Sequence, residues 1–387
     1  MDLNDVLRHA VAAGASDVHL KVGKPPVLRT DGELTQAADF GVLGDAELLS
    51  VLDQVTAAVP RRRELFDESG DLDIAYSAPG LPRFRVNGFR QRGAISFAFR
   101  VIPSEIPGFA ELHLPPGVAR LAQEQRGLVL VTGATGSGKT TTLAAMLDEI
   151  NRTRRQHIVT IEDPIEVLHP DHLCIVNQRE VGLDTESFGQ ALRRVLRQDP
   201  DVILIGELRD AETAQTALQA AESGHLVFST LHTLDATETI NRIIAVFPPH
   251  QQKQIRLQLA SVLKAVISQR LMPKADGKGR APAAEVLIST AFIRDCIMDK
   301  EKTHQIPNAI AQGTSQYGMQ TFDQSIFTLF ERGLISYEEA LRWASNVDDF
   351  KLKVQGISGT ADMARDEMAR TGAATAGKSP EITRFGS

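Results

Sequence analysis

The chain has 387 residues, of which 24% are charged and 42% hydrophobic, as in a soluble globular protein long enough for two domains. Its net charge of −7 argues against nonspecific nucleic-acid binding as the main task, and its apolar runs are far shorter than the ~20 residues that span a bilayer. Two isolated cysteines suggest neither a disulfide framework nor a zinc site, and the N-terminus lacks a signal peptide's basic start. These features predict a reduced, cytoplasmic protein.

Residues 1–102 predict a small α+β domain. A short amphipathic helix over 3–13 precedes half-buried strands near 17–22 and 71–76, where apolar and polar residues alternate. The strand-rich stretch that follows holds no acid between residues 81 and 104 and carries five arginines: Arg83, Arg85, Arg90, Arg92 and Arg100. Three interpretations remain open, namely a solvated sheet face, a phosphate or nucleotide contact and, with few aromatic residues for base stacking, nucleic acid.

Prolines and glycines crowd residues 103–117, which predicts a hinge or linker. Residues 118–289 then alternate between strand and helix patterns, which predicts a mostly parallel sheet with helices on both faces. Strands are expected at 128–132, 157–162, 202–205 and 225–230, and helices at 138–151, 186–197, 210–222, 236–246 and 250–270. A helical subdomain is expected over 290–355, with capping boxes at Thr321 and Ser336, and a disordered tail over 356–387.

The segment GLVLVTGATGSGKTT over 128–142 fits the phosphate-loop pattern GxxxxGK[ST] between a strand and a helix. Glycines let backbone N–H groups surround an anion, and the helix N-terminus adds a positive dipole. Lys139 is expected to reach the β- and γ-phosphates of a nucleotide, and Thr140 to ligate Mg²⁺. The predicted nucleotide-binding residues here are Gly133, Thr135, Gly136, Ser137, Gly138, Lys139, Thr140 and Thr141.

Acidic residues follow two of the predicted core strands. Glu162 and Asp163 are expected near the phosphates, where they hold magnesium through water or position the attacking water; the alternative is an ordinary turn before Pro164. Glu207 follows the strand 202–205 and is the candidate that orients or deprotonates water. A common version of this motif has aspartate where Gly206 stands, so direct ligation of magnesium is not expected there.

Histidines stand near both ends of the strand in GHLVFSTLHT. His225 and His232 are candidate γ-phosphate sensors, and the alternative for each is a structural histidine with satisfied hydrogen bonds. The sequence does not decide between these interpretations.

Four blocks, GATGSGKTT, TIEDPIE, DVILIGELRD and GHLVFSTLHT, closely resemble the secretion-type ATPases of type IV pilus and type II secretion machines. ASDVHL near the N-terminus, the arginine strands and FPPHQQ at 247–252 also match, so the resemblance covers residues 1 to about 355. The early position of ASDVHL, the lack of four zinc-binding cysteines and GMQTFDQSI at 318–326 are similar to the retraction group (PilT-like) and its accessory paralogues (PilU-like). The stretch 292–297 departs from the retraction group's pattern and leaves open which of the two it is.

The resemblance implies a RecA-like ATPase core, a smaller N-terminal domain of PAS-like type and a homohexameric ring that hydrolyses ATP with Mg²⁺ to retract a type IV pilus. It also implies that Arg83, Arg85 and Arg100 approach the phosphates. The expected partners are an inner-membrane platform protein at the pilus base and a paralogous ATPase, with no nucleic acid. The alternatives are an accessory ATPase dependent on a partner motor, a nucleic-acid translocase and a scaffold without turnover.

Overall fold

The structure is a computed structural model that describes residues 1–30, 32–102 and 105–356. The chain forms two compact units, Met1–Ile106 with Arg154–Pro200, and Pro107–Thr153 with Asp201–Ser387. The predicted tail from residue 357 onward and the first two residues of the predicted linker lie outside the described residues. Within the described part of the chain, no helix has the length and apolar content needed to cross a membrane.

The helices and strands are numbered in chain order. The strands are β1 (Asp17–Lys21), β2 (Val27–Thr30), β3 (Glu33–Gln36), β4 (Asp71–Tyr76), β5 (Phe84–Gln91), β6 (Ala94–Val101), β7 (Gly127–Thr132), β8 (His157–Glu162), β9 (Ile175–Glu180), β10 (Val202–Ile205), β11 (Leu226–Leu231), β12 (Leu263–Pro273) and β13 (Arg280–Ile288). The α-helices are α1 (Leu3–Ala12), α2 (Asp45–Thr56), α3 (Pro60–Ser69), α4 (Pro116–Leu121), α5 (Lys139–Thr153), α6 (Phe188–Val195), α7 (Ala211–Glu222), α8 (Ala236–Ala245), α9 (Pro249–Val262), α10 (Ala291–Met298), α11 (Ile306–Gln312), α12 (Thr314–Tyr317), α13 (Phe322–Glu331), α14 (Tyr337–Trp343) and α15 (Val347–Val354).

The first unit contains an antiparallel sheet in the order β3-β2-β1-β6-β5-β4. Alternating residues of β5 and β6 bury aromatic side chains in one core, among them Phe84, Phe97 and Phe99. Helix α1 begins where Asp2 accepts the backbone N–H groups of Asn4 and Asp5, and its apolar face joins this core. The predicted α+β fold of the N-terminal region is therefore confirmed.

The same unit also contains β8, β9 and α6. Strands β8 and β9 are parallel, from His157 beside Ile175 to Glu162 beside Glu180. Strand β8 is almost wholly buried, as its continuous apolar run predicts. Strand β9 was not predicted, because its alternation of apolar and polar residues is short and irregular.

The second unit contains strands in the order β13-β12-β7-β11-β10. Strands β12, β7, β11 and β10 are parallel, and β13 runs antiparallel to β12 at the edge. All residues of β7, β10 and β11 are buried. Because parallel strands end at the same edge, the segments that follow β7, β10 and β11 emerge together.

One predicted helix was wrong. The pattern over 250–270 predicts one helix, but α9 ends at Val262 and β12 begins at Leu263. Residues 265–269 are buried throughout. A buried strand and a buried helix have the same apolar signature, so the pattern alone could not separate them.

The C-terminal helices α10–α15 follow β13, as predicted. Thr321 and Gln324 form the predicted capping box, in which each side chain bonds the other's backbone N–H. Ser336 caps α14 through the N–H of Glu339, whereas the Glu339 carboxylate accepts from the indole of Trp343 instead of completing a box. Gln320 and Ser325 bond the backbone of β13 at Val286 and Ala284, which attaches these helices to the sheet.

Candidate functional site

The phosphate loop joins β7 to α5 with three glycines at positive φ. Gly133, Gly136 and Gly138 have φ values of +139°, +78° and +92°. A Cβ on Gly133 would lie 2.5 Å from both the carbonyl oxygen of Gln269 and Oγ of Ser137, so the loop has no space for a side chain there. The predicted loop is therefore a closely packed turn that opens into the N-terminus of a 15-residue helix.

Lys139 is the first residue of α5 and turns back over this loop. Its buried ammonium donates to the carbonyl oxygens of Gly133, at 2.7 Å, and Ala134, at 3.1 Å. Ser137 is buried and its Oγ has no hydrogen-bond partner in the described part of the chain, whereas Thr135 and Gly136 are exposed and Thr140 and Thr141 are half-buried. The arrangement places a cation and the N–H groups of a helix N-terminus at one loop, which is a combination that suits an anion.

Strand β12 supports the loop from one side, which the sequence did not indicate. Thr132 donates to Oγ of Ser268 at 2.9 Å, and the amide of Gln269 donates to Oγ1 of Thr142 at 2.8 Å. Leu271 lies 3.6 Å from where a Cβ of Gly138 would stand. The sequence pattern predicts helix over 250–270, so it gives no indication that Ser268 and Gln269 lie on a strand beside the loop.

Glu207 and His232 meet at the same edge of the sheet as the phosphate loop. Oε1 of Glu207 lies 3.4 Å from Nε2 of His232, and Oε2 accepts from Nε of Arg209 at 2.8 Å. Oγ1 of Thr230 donates to the carbonyl of Gly206 at 2.6 Å, which ties the Glu207 segment to β11. The Glu207 side chain is 19% exposed and that of His232 is 52% exposed, so both are accessible to a small ligand.

His225 lies at the opposite end of β11. In the parallel pair of β11 and β7, Leu226 lies beside Gly127 and Leu231 beside Thr132. His225 therefore lies at the edge of the sheet where these strands begin, whereas the phosphate loop lies at the edge where β7 ends. Its Nδ1 lies 2.9 Å from the carbonyl of Ala220 and 3.0 Å from Oγ of Ser223. The structure does not bring His225 to the phosphate loop, and the role proposed for it as a γ-phosphate sensor has no geometric support within this unit.

In the first unit, Glu162 ends β8 with a buried carboxylate. Oε1 accepts from Oγ1 of Thr160 at 2.6 Å and from the amide of Gln178 at 3.1 Å. Burial raises the pKa of Glu162, although these two hydrogen bonds act in the opposite direction. Asp163, the next residue, is exposed. The two neighbouring acids therefore have different environments.

The three arginines expected at the phosphates each pair with an acid that the sequence did not indicate. Arg83 donates to Glu180 in a pair whose side chains are 14% and 6% exposed, and Glu180 also accepts from the N–H of Ile165. Arg85 pairs with Asp73 at 3.2 Å, and Arg100 pairs with Asp17 at 2.9 Å.

The hydrogen bond to Asp73, with the charges of Glu166 and Asp163, raises the pKa of Arg85. These three arginines therefore form ion pairs with acids of their own unit. The contact of Arg83, Arg85 and Arg100 with nucleotide stays a prediction.

Comparison with known proteins identifies the family of this chain and similar proteins within it. Residues 111–342 match the family described as Type II/IV secretion system protein. The chain is 45% identical over 350 residues to the type IV pilus retraction ATPase PilT of Pseudomonas aeruginosa, covering 90% of this chain and all of that protein. It is 41% identical over 363 residues to the type IV pilus ATPase PilU of the same organism, covering 94% of each.

A solved structure gives the same result. The crystal structure of the pilus retraction motor PilT with bound ADP has a TM-score of 0.82 and 44% identity, and it covers 90% of this chain and 98% of that one. The predicted fold, a P-loop ATPase core of RecA-like type with an N-terminal domain, is thereby confirmed. So is the prediction of a nucleotide-binding enzyme. The chain belongs to the type II/IV secretion system protein family and is one of its ATPases.

Proposed function

We propose that this ATPase is a motor that retracts a type IV pilus. The observation that carries the proposal is the Glu207–His232 pair beside an intact phosphate loop, in a chain 45% identical to a retraction ATPase over that protein's full length. A glutamate close to a histidine can hold and orient a water molecule, and the loop can hold the phosphates that this water attacks.

The residues of the second unit divide the chemistry among them. Lys139 leaves its loop carbonyls to bind the β- and γ-phosphates, while N–H groups of the loop and of α5 bind the phosphate oxygens. Glu207 accepts a hydrogen bond from the attacking water and orients it. His232 contacts the γ-phosphate from the end of β11, so its position responds to whether that phosphate is present.

The residues also fit a magnesium ion. No group of three or more His, Cys, Asp or Glu side chains is arranged to hold a metal among the described residues. Magnesium in nucleotide sites is held mainly by phosphate oxygens and water, with only one or two protein ligands, so this is no obstacle. Thr140 would supply a hydroxyl and Asp163 a contact through water. When bound, the ion neutralises phosphate charge.

Glu162, Arg83, Arg85 and Arg100 belong to the first unit and act when ATP is bound. The arginines exchange part of their pairing with acids for the phosphates, and Glu162 helps to position water. Residues 1–102 form the N-terminal domain, 103–117 the hinge, 118–289 the ATPase core and 290–355 the helical subdomain. Closing and reopening about the hinge moves neighbouring subunits of a homohexamer.

The ring works in the cytoplasm, at the inner-membrane base of the pilus, against a platform protein. A paralogous ATPase of the same pilus is a further partner, and no nucleic acid takes part. The hexamer and these partners are proposals that rest on the relatives.

The test is ATP turnover by the purified full chain. Glu207→Gln keeps the size of the side chain and removes its charge, and we expect turnover to fall about 100-fold or more while ATP still binds. Lys139→Ala should lose binding as well. Glu331→Gln, an exposed carboxylate on α13, is the matched control.

In cells that lack the retraction motor, the wild type should restore retraction and Glu207→Gln should not. A hexamer without turnover of its own, active only beside a second ATPase, would identify the accessory type instead. Full turnover by Glu207→Gln would contradict the proposed role of that residue.

A further inference from the structure

Glu285 on β13 holds the start of helix α8. Its Oε1 accepts the backbone N–H of Ala236, the first residue of α8, at 2.9 Å. Partial burial and the nearby charge of Asp235 raise the pKa of Glu285 to about 7, while the Ala236 N–H and Arg270 act in the opposite direction. Burial thus disfavours the ionised form of Glu285, whereas the positive N-terminal end of the α8 dipole favours it.

Glu285 lies at the level of the ATPase site. Across the sheet, Glu285 on β13 pairs with Ser268 on β12, Ser268 with Thr132 on β7, and Thr132 with Leu231 on β11. Thr132 precedes the phosphate loop and Leu231 precedes His232. The row of residues that contains Glu285 is therefore the last row before the site.

The segment from His232 to Ala236 joins β11 to α8 and carries the candidate sensor. Oγ1 of Thr233 bonds Oγ1 of Thr239, the N–H of Leu234 donates to Glu238, and Asp235 accepts from the N–H of Glu238. These bonds join the segment to α8 itself. The bond to Glu285 instead joins it to the sheet that bears the phosphate loop.

We propose that Glu285 is a positioning residue for ATP hydrolysis, which holds His232 beside Glu207 by fixing the first N–H of α8 to β13. This inference rests on the roles proposed above for Glu207 and His232. Without the hydrogen bond between Glu285 and Ala236, the segment 232–236 can shift. A displacement of about 1 Å from the productive geometry can reduce a rate about 100-fold. Lys139 and the loop are untouched, so ATP binding is preserved.

Two variants break the bond from opposite sides. Glu285→Leu removes the acceptor. Ala236→Pro removes the donor, and proline is well tolerated at the first position of a helix, especially after a residue as extended as Asp235 (φ −148°, ψ 171°). Glu285→Gln keeps an oxygen acceptor. Glu47→Gln is the matched control, since Glu47 also accepts a backbone N–H, that of Gly44, at a helix start but in the N-terminal domain.

The measurements are kcat and KM for ATP, with amide hydrogen exchange over 232–240. We expect Glu285→Leu and Ala236→Pro each to lower kcat about 10- to 100-fold with KM changed less than about threefold, and to speed exchange in this segment. Glu285→Gln should stay within about threefold of wild type. The double variant Glu285→Leu/Ala236→Pro should be no worse than the more affected single variant, because both remove the same bond.

Unchanged kcat in both single variants, a rise in KM alone, or additive losses in the double variant would overturn the inference. If Glu285→Leu does not fold, the kcat of Ala236→Pro decides it. Full activity of Glu207→Gln and His232→Ala would overturn the proposed site as well. Loss of activity in those two with a normal Glu285→Leu would overturn the positioning role alone.

Discussion

Gly133 and Gly136 of the phosphate loop both have positive φ, +139° and +78°, but their surroundings differ. Gly133 faces the carbonyl of Gln269 and Oγ of Ser137, whereas no atom of the described residues lies within 4 Å of where a Cβ of Gly136 would stand. Both positions strain a non-glycine residue, since both have positive φ. Gly133 therefore differs from Gly136 in the close approach of β12 and of Ser137, and in its larger φ.

We expect Gly133→Ala to reduce ATP affinity about tenfold or more, because the methyl group forces the loop away from β12. Gly136→Ala is the control and should lose markedly less. Titration with a fluorescent ATP analogue measures both affinities. Equal losses would mean that torsional strain, and not contact with β12, governs the loop.

Glu285 also makes a stability prediction. Its pKa is about 7 in the folded chain and about 4.3 in an unfolded one. Between these two pH values Glu285 is protonated in the folded chain and ionised in the unfolded chain. The free energy of unfolding therefore falls as pH rises, and this loss of stability is complete above pH 7. Asp235 strengthens this effect and Arg270 weakens it.

Glu285→Gln removes the titrating group. We expect the free energy of unfolding of the wild type to fall by about 1–3 kcal/mol relative to that of this variant between pH 5 and pH 8. Urea unfolding at a series of pH values measures the difference. If the difference in free energy of unfolding between wild type and Glu285→Gln does not change with pH, the pKa of Glu285 is not raised by folding.

At the scale of elements, Arg83, which immediately precedes β5, is joined to Glu180 at the end of β9 by a buried ion pair. Removal of one member leaves the other charge buried without its partner, which typically costs about 3–5 kcal/mol, while replacement of both by apolar residues costs far less. The exposed pair of Arg85 and Asp73, with side chains 42% and 51% exposed, should contribute less than about 1 kcal/mol.

We therefore expect Arg83→Met to destabilise the chain by about 3 kcal/mol in urea unfolding and Arg83→Met/Glu180→Leu to recover most of the loss. Arg85→Met is the control and should have little effect on stability. If Arg83→Met instead leaves stability unchanged but weakens ATP affinity, Arg83 serves the nucleotide and not the fold.

Strand β12 shows how an element can matter to the site without a motif. It carries Ser268 and Gln269, which bond residues on both sides of the phosphate loop. It lies between β7 and β13, so it also connects the loop to the strand that bears Glu285 and receives the C-terminal helices. Its residues are ordinary in type, and their position is what matters.

At the scale of the whole molecule, the proposed hexamer predicts that subunits do not work independently. If each closing subunit moves its neighbour, one inactive subunit stops more than its own turnover. We expect the ATPase rate to fall more steeply than the fraction of Glu207→Gln subunits when these are mixed with wild type and allowed to assemble. Native mass spectrometry with isotope-labelled Glu207→Gln subunits checks that mixed hexamers form.

A rate proportional to the wild-type fraction would contradict coordination round the ring. Unmixed Glu207→Gln hexamers added to preformed wild-type hexamers are the control, and they should leave the wild-type rate unchanged.

The sequence by itself determined the phosphate loop, the acid after β10 and most helices and strands of the core. These features are local: a motif of eight residues, a buried strand followed by an acid, or a capping box depends on neighbours along the chain. The pattern from Gly133 to Thr140 and the position of Glu207 were therefore predictable without tertiary information.

Only the tertiary structure decided which distant residues meet. Arg83 and Glu180 are 97 residues apart, and Gln269 meets Thr142 across 127 residues. No periodicity encodes such pairs, because strand order and register bring them together. For the same reason the buried run after Val262 became a strand and not more helix: it pairs with β7 and β13. The separation of His225 from His232 likewise follows from strand direction, which sets the two ends of β11 at opposite edges of the sheet.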